Sequence, residues 1–293
     1  MHNLYQLETP AVSTTLSAGS APQESQAATV GLLLLGAVLA ALWIGINLMF
    51  PGLAPTGIPS VLTRLAIHAA ILAGLWLGLS RTDFSMSKRI TIWLAIAIAF
   101  TLWLAVVWAM AVNGAFQPIP GVVRLPRLPI AIFAPVIIGL LFLLRSKSIA
   151  AFLDAIPAPW LIALQVYRIF GGIFLVNWMH GTVAGVFDVP AGIGDVLTGI
   201  MALPVALLLA SGTARGRSAA MAWNIFGLLD FAVAITLGTL SSPGPFQIFG
   251  LDIPASLAGT YPTVLIPAFA VPSSILLHAL SIRQLRRIGR RAQ

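Results

Sequence analysis

Cysteine is absent from the 293 residues, so disulfides, thiolate metal sites and cysteine nucleophiles are excluded. Charge is almost as scarce. Only 8% of the residues are Asp, Glu, Lys or Arg, against about 25% in an ordinary soluble domain. That is too few to cover a water-facing surface. With 59% hydrophobic residues and a mean hydropathy of +0.98, the solvent for most of the chain must be lipid. Acidic residues are the rarest charges, 8 against 16 Lys and Arg, for a net +8. In a soluble protein that excess would suggest nucleic acid. Here the basic residues fall in short loops and at the C-terminus, where they set topology and meet anionic lipid, so no nucleic-acid partner is expected. No lysine lies inside an apolar run, which removes a retinal-type Schiff base. A Gly-x-Ser-x-Gly elbow and a P-loop are also missing.

What the chain does have is eight apolar runs, each near the roughly 20 residues that span a bilayer. They lie at about 28–50, 59–80, 90–113, 127–144, 160–183, 190–210, 218–240 and 261–282, with ends uncertain by about 2–4 residues. Barrel strands would be about ten residues long and alternate; these runs are apolar on every face. The expected fold is therefore an all-α bundle of eight transmembrane helices. Residues 1–27 read as a disordered polar tail, 28–282 as the membrane domain and 283–293 as a basic tail. The first tail holds Glu8 and Glu24 but no Lys or Arg, unlike the positive start of a secretory signal.

Alternate loops carry the positive charge: Arg81, Lys88 and Arg89, then Arg145 and Lys147, then Arg215 and Arg217, then Arg283, Arg286, Arg287, Arg290 and Arg291. The positive-inside rule makes these cytoplasmic, together with both termini. Arg124 and Arg127 are the exception. Trp93, Trp160, Trp178 and Trp223 are expected as interfacial anchors. Outer connections share an X-Pro theme at Pro59, Pro120, Pro190 and Pro254, and the first three suit a first helical turn. Residues 148–158 read as a short amphipathic helix on the inner surface. Residues 241–260 form an apolar outer segment, either a cap or a headgroup-level loop.

Ionisable groups inside membrane helices cost at least about 2.5–3.5 kcal/mol, and three stand out. Arg168 falls near the middle of the fifth run. At about 100° per residue, Gln165 shares its face and Gly172 leaves space one turn on. Its planar fork suits a carboxylate or phosphate, so it is either an anion site or one half of an interior ion pair. Asp230, mid-way along the seventh run, is the first choice of partner, and Asn224 on the same run is about 120° away. Asp195 lies early in the sixth run on a narrow face with Gly192, Thr198, Gly199 and Ala202. The Pro190-Ala-Gly-Ile-Gly-Asp195 start is either an anion-binding helix end or a capped one.

In the second run Arg64 and His68 are spaced i, i+4 and share a face. An Arg64–Asp195 pair is expected, with His180 close enough to join. His278 is expected to face the headgroups. The histidines fall at different depths with no paired spacing, so neither a metal nor another cofactor is called for. Gly74/Gly78 and Gly181/Gly185 read as helix-contact pairs. Pro262, Pro267 and Pro272 break the eighth run and Pro204 interrupts the sixth.

The Pro190–Asp195 segment, after an Arg168-x-x-x-Gly172-x-Phe174-Leu175 helix, resembles a pattern in uncharacterised bacterial multi-pass membrane proteins. That resemblance implies an inner-membrane location and no particular activity. Three functions stay open. One is transport of a small anionic or carboxylate-bearing solute by Arg168, Gln165, Asp195, Asp230, Asn224, Arg64 and His68. A second is an integral membrane enzyme acting on a lipid-soluble substrate. The third is a structural or accessory subunit, with a homo-oligomer or a membrane partner subunit as its context.

Overall fold

The computed structural model describes residues 21–53, 57–117, 127–252 and 259–291. Every regular element among them is helical, so the backbone N–H and C=O groups of each apolar run bond within their own segment. The elements are α1 (Ala21–Met49), α2 (Ile58–Leu79), α3 (Met86–Val112), α4 (Arg127–Arg145), α5 (Lys147–Ala155), α6 (Pro159–Ala163), α7 (Ile173–Met179), α8 (Gly185–Ala210), α9 (Ala214–Ser241) and α10 (Val271–Arg291). A 3₁₀ stretch, Leu164–Gly172, joins α6 to α7, and a π stretch, Ile266–Ala270, leads into α10. With those joins, eight segments are long and apolar enough to cross a membrane.

Local signals set several ends. Pro59 occupies the first turn of α2. Ser85, Ser146 and Thr213 cap α3, α5 and α9, each accepting a backbone N–H from the first turn. The short helix expected at 148–158 is α5. Its apolar side, Ile149, Phe152 and Leu153, packs on Leu75 and Leu79 of α2. Gly78 makes this possible, because a Cβ there would run into the Phe152 ring. Gln284 of α10 donates to the Leu153 and Ile156 carbonyls at 2.6 and 2.9 Å, satisfying the buried end of α5.

Packing is uneven along the chain. In the last four spans 33–61% of the most apolar window is buried, against 11–22% in the first four. α8 is central, packed against α9, the 3₁₀ stretch, α1, α6 and α7. The most deeply packed part of the bundle therefore lies in the second half of the chain.

Several expectations need correction. The sixth span starts at Gly185, so Pro190 is a helix-interior residue and Asp195 lies two turns further in than a first-turn cap. The amides of Gly192 and Gly194 are part of the α8 ladder and do not form an anion-binding helix end. Gly181 has φ 67° in the turn after α7, so Gly181 and Gly185 do not share a helix. The basic C-terminal segment is not a separate tail, because α10 runs on to Arg291. Residues 21–27 are helical. The rest of the expected N-terminal tail, with Pro120, Arg124 and Pro254, lies outside the described residues. Trp223 is not an interfacial anchor. It is 5% exposed, and its indole N–H donates to Thr198 O at 3.1 Å.

Candidate functional site

Arg168 sits at the middle of the fifth span with its side chain 1% exposed. A buried guanidinium must spend its donors on protein acceptors, and this one spends nearly all of them. Nε donates to Asp195 Oδ1 at 2.7 Å. Nη2 donates to Asp230 Oδ2. Nη1 faces Gly227 O at 3.4 Å and His278 Nε2 at 3.3 Å. The Phe231 ring covers one face of the fork, 3.9 Å from its carbon. Thus one arginine ties α8, α9 and α10 to the fifth span.

The hydrogen-bond inventory fixes the imidazole. Asn224 Nδ2 donates to Ala220 O at 2.8 Å and to Ser281 Oγ at 3.0 Å, which leaves Asn224 Oδ1 as the acceptor facing His278 Nδ1 at 2.9 Å. Nδ1 therefore carries a proton. Arginine can only donate, so Nε2 must present its lone pair to Nη1. Asn224 and Asp230 both belong to this network, Asn224 through His278 and Asp230 through Arg168. His278 itself is 0% exposed and not at the headgroups. The last span is shifted toward the C-terminus relative to the expected run, and that places His278 at mid-depth.

Space for these groups comes from glycine. A Cβ at Gly194 would occupy the position of the Asp230 carboxylate, one at Gly171 that of Asp195, and one at Gly227 that of the His278 ring. The expectation for the fifth span was Gly172, one α-turn beyond Arg168. The backbone there is 3₁₀, with 3.0 residues per turn, so Gln165, Arg168 and Gly171 stack along one edge. Gly172 instead faces Ile44 of α1. The small face of α8 does approach closely: a Cβ at Gly199 would press on the backbone of Ile169 and Arg168. Gln165 is fully buried, and neither end of its amide has a partner among the described residues.

Arg64 does not pair with Asp195, whose ion-pair partner is Arg168. The reason is reach: α8 turns Asp195 toward the 3₁₀ edge, where Arg168 is already within hydrogen-bond distance. Arg64 is 4% exposed, donates from Nη2 to Thr63 Oγ1 at 3.3 Å, and has no carboxylate within ion-pair distance among the described residues. Its Nε has no acceptor. His68 turns to α3, with Nε2 3.0 Å from Thr101 Oγ1 and its ring stacked on Phe100. His180 is exposed at the end of α7 and joins neither group. Asp188, in the first turn of α8, is 2% exposed with Oδ2 unpartnered. Sequence reading missed it by assigning the residue to a loop; the apolar Val186-Phe187 before it was the available signal.

Arg64 lines a cavity of about 50 Å³ among Trp43, Asn47, Ser60, Asn177 and Thr263. It lies where α1 ends and α2 begins. Among the described residues no three His, Asp or Glu side chains converge as metal ligands would.

The class defined by these features is an all-α bundle of eight candidate spans with a buried, arginine-centred polar network. The chain belongs to the family described as a domain of unknown function (DUF8737), which matches residues 125–286. The match takes in α4 to α9 and most of α10, and with them Arg168, Asp195, Asn224, Asp230 and His278. Arg64 and His68 lie outside it. No curated protein and no solved structure matches the chain.

Proposed function

We propose that this chain is a multi-pass protein of a bacterial inner membrane, with both termini cytoplasmic, that moves a small anionic or carboxylate-bearing solute. One observation carries the reading: a single buried arginine is shared by two carboxylates from two different helices. Releasing either carboxylate by protonation, which neutralises it, leaves the arginine held by the other. Helices can then re-pair without stranding a bare charge, which is the property an alternating site needs. Two spans also leave α geometry here, the fifth as 3₁₀ and the eighth as π, and such departures accompany hinges and functional sites. If both aspartates are ionised, Arg168 with Asp195 and Asp230 carries −1, and one proton brings the group to neutrality. The basic end of α10 suits the anionic lipid of a cytoplasmic leaflet.

Uptake of small carboxylates into proteoliposomes tests the reading. Asp230→Asn is expected to abolish flux while the protein stays folded. Flux that survives both Asp230→Asn and Arg168→Ala overturns it.

A second reading is favoured by the saturation of Arg168. With both carboxylates and the imidazole engaged, the network also suits a register clamp in a structural or accessory subunit. That role requires a stable partner subunit or a homo-oligomer, and size analysis of gently solubilised membranes separates the two readings.

A further inference from the structure

The cavity beside Arg64 has a chemistry that the Arg168 network lacks. Arg64 offers an unspent Nε–H and a full positive charge. Asn47, 1% exposed, lines the same cavity. Its amide nitrogen is committed to Trp43 O at 2.8 Å, which leaves Oδ1 as an acceptor without a donor. Ser60 and Thr63 donate their hydroxyl protons to the carbonyls of Pro262 and Ser60, at 3.3 and 3.0 Å. The Ser60 oxygen is left as an acceptor, the Thr63 oxygen accepts from Arg64 Nη2 at 3.3 Å, and the indole N–H of Trp43 is spent on Phe170 O at 3.1 Å. The lining therefore combines one cation with an amide oxygen, Asn47 Oδ1, that no donor among the described residues meets. Two of its side chains, both more than nine-tenths buried, carry polar atoms with no partner among the described residues.

A bare anion such as chloride or nitrate would satisfy Arg64 and leave Asn47 Oδ1 unpaired, at the cost of a buried acceptor. A cation would meet Arg64. Water would pair both atoms but leave the Arg64 charge without a counter-ion; the occupant that also balances the charge carries a negative oxygen and a hydrogen-bond donor in one molecule. The volume, a few water-sized spheres, limits it to a handful of heavy atoms. We propose that this cavity binds a small oxyanion that keeps one O–H group, of the hydrogencarbonate or glycolate class, with its charged oxygens on Arg64 and its O–H donating to Asn47 Oδ1. The inference deepens the solute-handling reading. It rests on that reading only for the claim that the occupant is moved.

Hydrogencarbonate and nitrate make a clean pair of probes, since both are planar monoanions of nearly equal size and only the first has a donor. Titration calorimetry on the full-length protein in detergent is expected to give saturable hydrogencarbonate and glycolate binding. Nitrate and acetate should bind about tenfold more weakly, the usual scale for one hydrogen bond to a buried polar group. Arg64→Gln should lose all of them. Asn47→Leu should keep nitrate binding and erase the preference for hydrogencarbonate, and it serves if the arginine variant does not fold. Equal binding of nitrate and hydrogencarbonate, unchanged binding in Arg64→Gln, or no saturable binding of any probe overturns the proposal. Discriminating binding with no flux in vesicles supports this site and overturns the transport reading. Flux without discrimination does the reverse.

Discussion

Arg168 and Arg64 are the same residue, buried to the same degree at 2% and 4% exposure, in neighbouring parts of one bundle. Arg168 is saturated. Two carboxylates, an imidazole, a carbonyl and an aromatic face surround it, and glycines on three helices clear the space. Arg64 has one hydroxyl contact and a cavity. Burial alone therefore does not say what a charge is for; what fills its donors does. A saturated guanidinium holds helices together, and an unsaturated one beside empty volume is available to something else.

Removing the saturated arginine should have the largest effect. Arg168→Ala strands two buried carboxylates and is expected to cost about 3–5 kcal/mol, enough to lose most folded protein in a thermal-unfolding assay. Arg168→Lys should recover only part of this, because an ammonium cannot span both carboxylates as a planar fork does. If Arg168→Ala is as stable as the parent, the contrast between the two arginines collapses.

The glycine seats sharpen the same comparison. Gly194→Ala places a methyl group where the Asp230 carboxylate sits and should destabilise by about 1–3 kcal/mol. Gly74→Ala, where a Cβ meets nothing within 4 Å, should be neutral or gain slightly from helix propensity. Comparing the two melting temperatures checks that packing at the network, rather than glycine loss in general, is responsible.

Asn224→Leu removes the acceptor that fixes the His278 proton on Nδ1. An expected loss of about 1–3 kcal/mol should be accompanied by a shift in the imidazole NMR signals. An unshifted imidazole would show that Asn224 does not set the tautomer. Arg64→Gln lies at the other end of the comparison. With no carboxylate to strand, it should leave thermal stability within about 1 kcal/mol of the parent or raise it, because a buried charge without a counter-ion is a cost. The smallest effect should come from the Arg287–Asp154 pair between α10 and α5. Both side chains are partly exposed, so Asp154→Asn should change stability by less than about 1 kcal/mol, and less again in high salt.

Much of this fold is legible from the order of residues. Eight apolar runs become eight candidate spans, the amphipathic segment after Lys147 becomes α5, and one of the three prolines expected to break the last run, Pro267, lies in its π stretch. Arg168, Asp230, Asp195 and Asn224 stand out because polar residues are costly among apolar ones, and all four meet in one network. The misses share one cause, which is depth and phase along a helix. Placing the sixth span five residues late made Asp195 look like a cap. Placing the last span too early sent His278 to the surface. Assuming 3.6 residues per turn through Leu164–Gly172 selected Gly172 over Gly171. Nothing local distinguishes 3₁₀ from α in that stretch; the close approach of Gly199 to its backbone accompanies the tighter winding.

Composition and hydropathy alone pointed to apolar helices long enough to span a bilayer, because too few charges exist to cover a water-facing surface and backbone groups without water must bond within their own segment. The rarity of charges also determined which residues were worth watching. Which of them would meet was decided only in three dimensions. Arg64 and Arg168 are equally able to claim Asp195, and the contest is settled by the winding of the fifth span and the rotation of α8, both set by side chains far apart in sequence. The same packing left Asn47 and Arg64 facing a small cavity with unspent hydrogen-bonding groups, an outcome of volumes on four different spans that no single stretch of sequence contains.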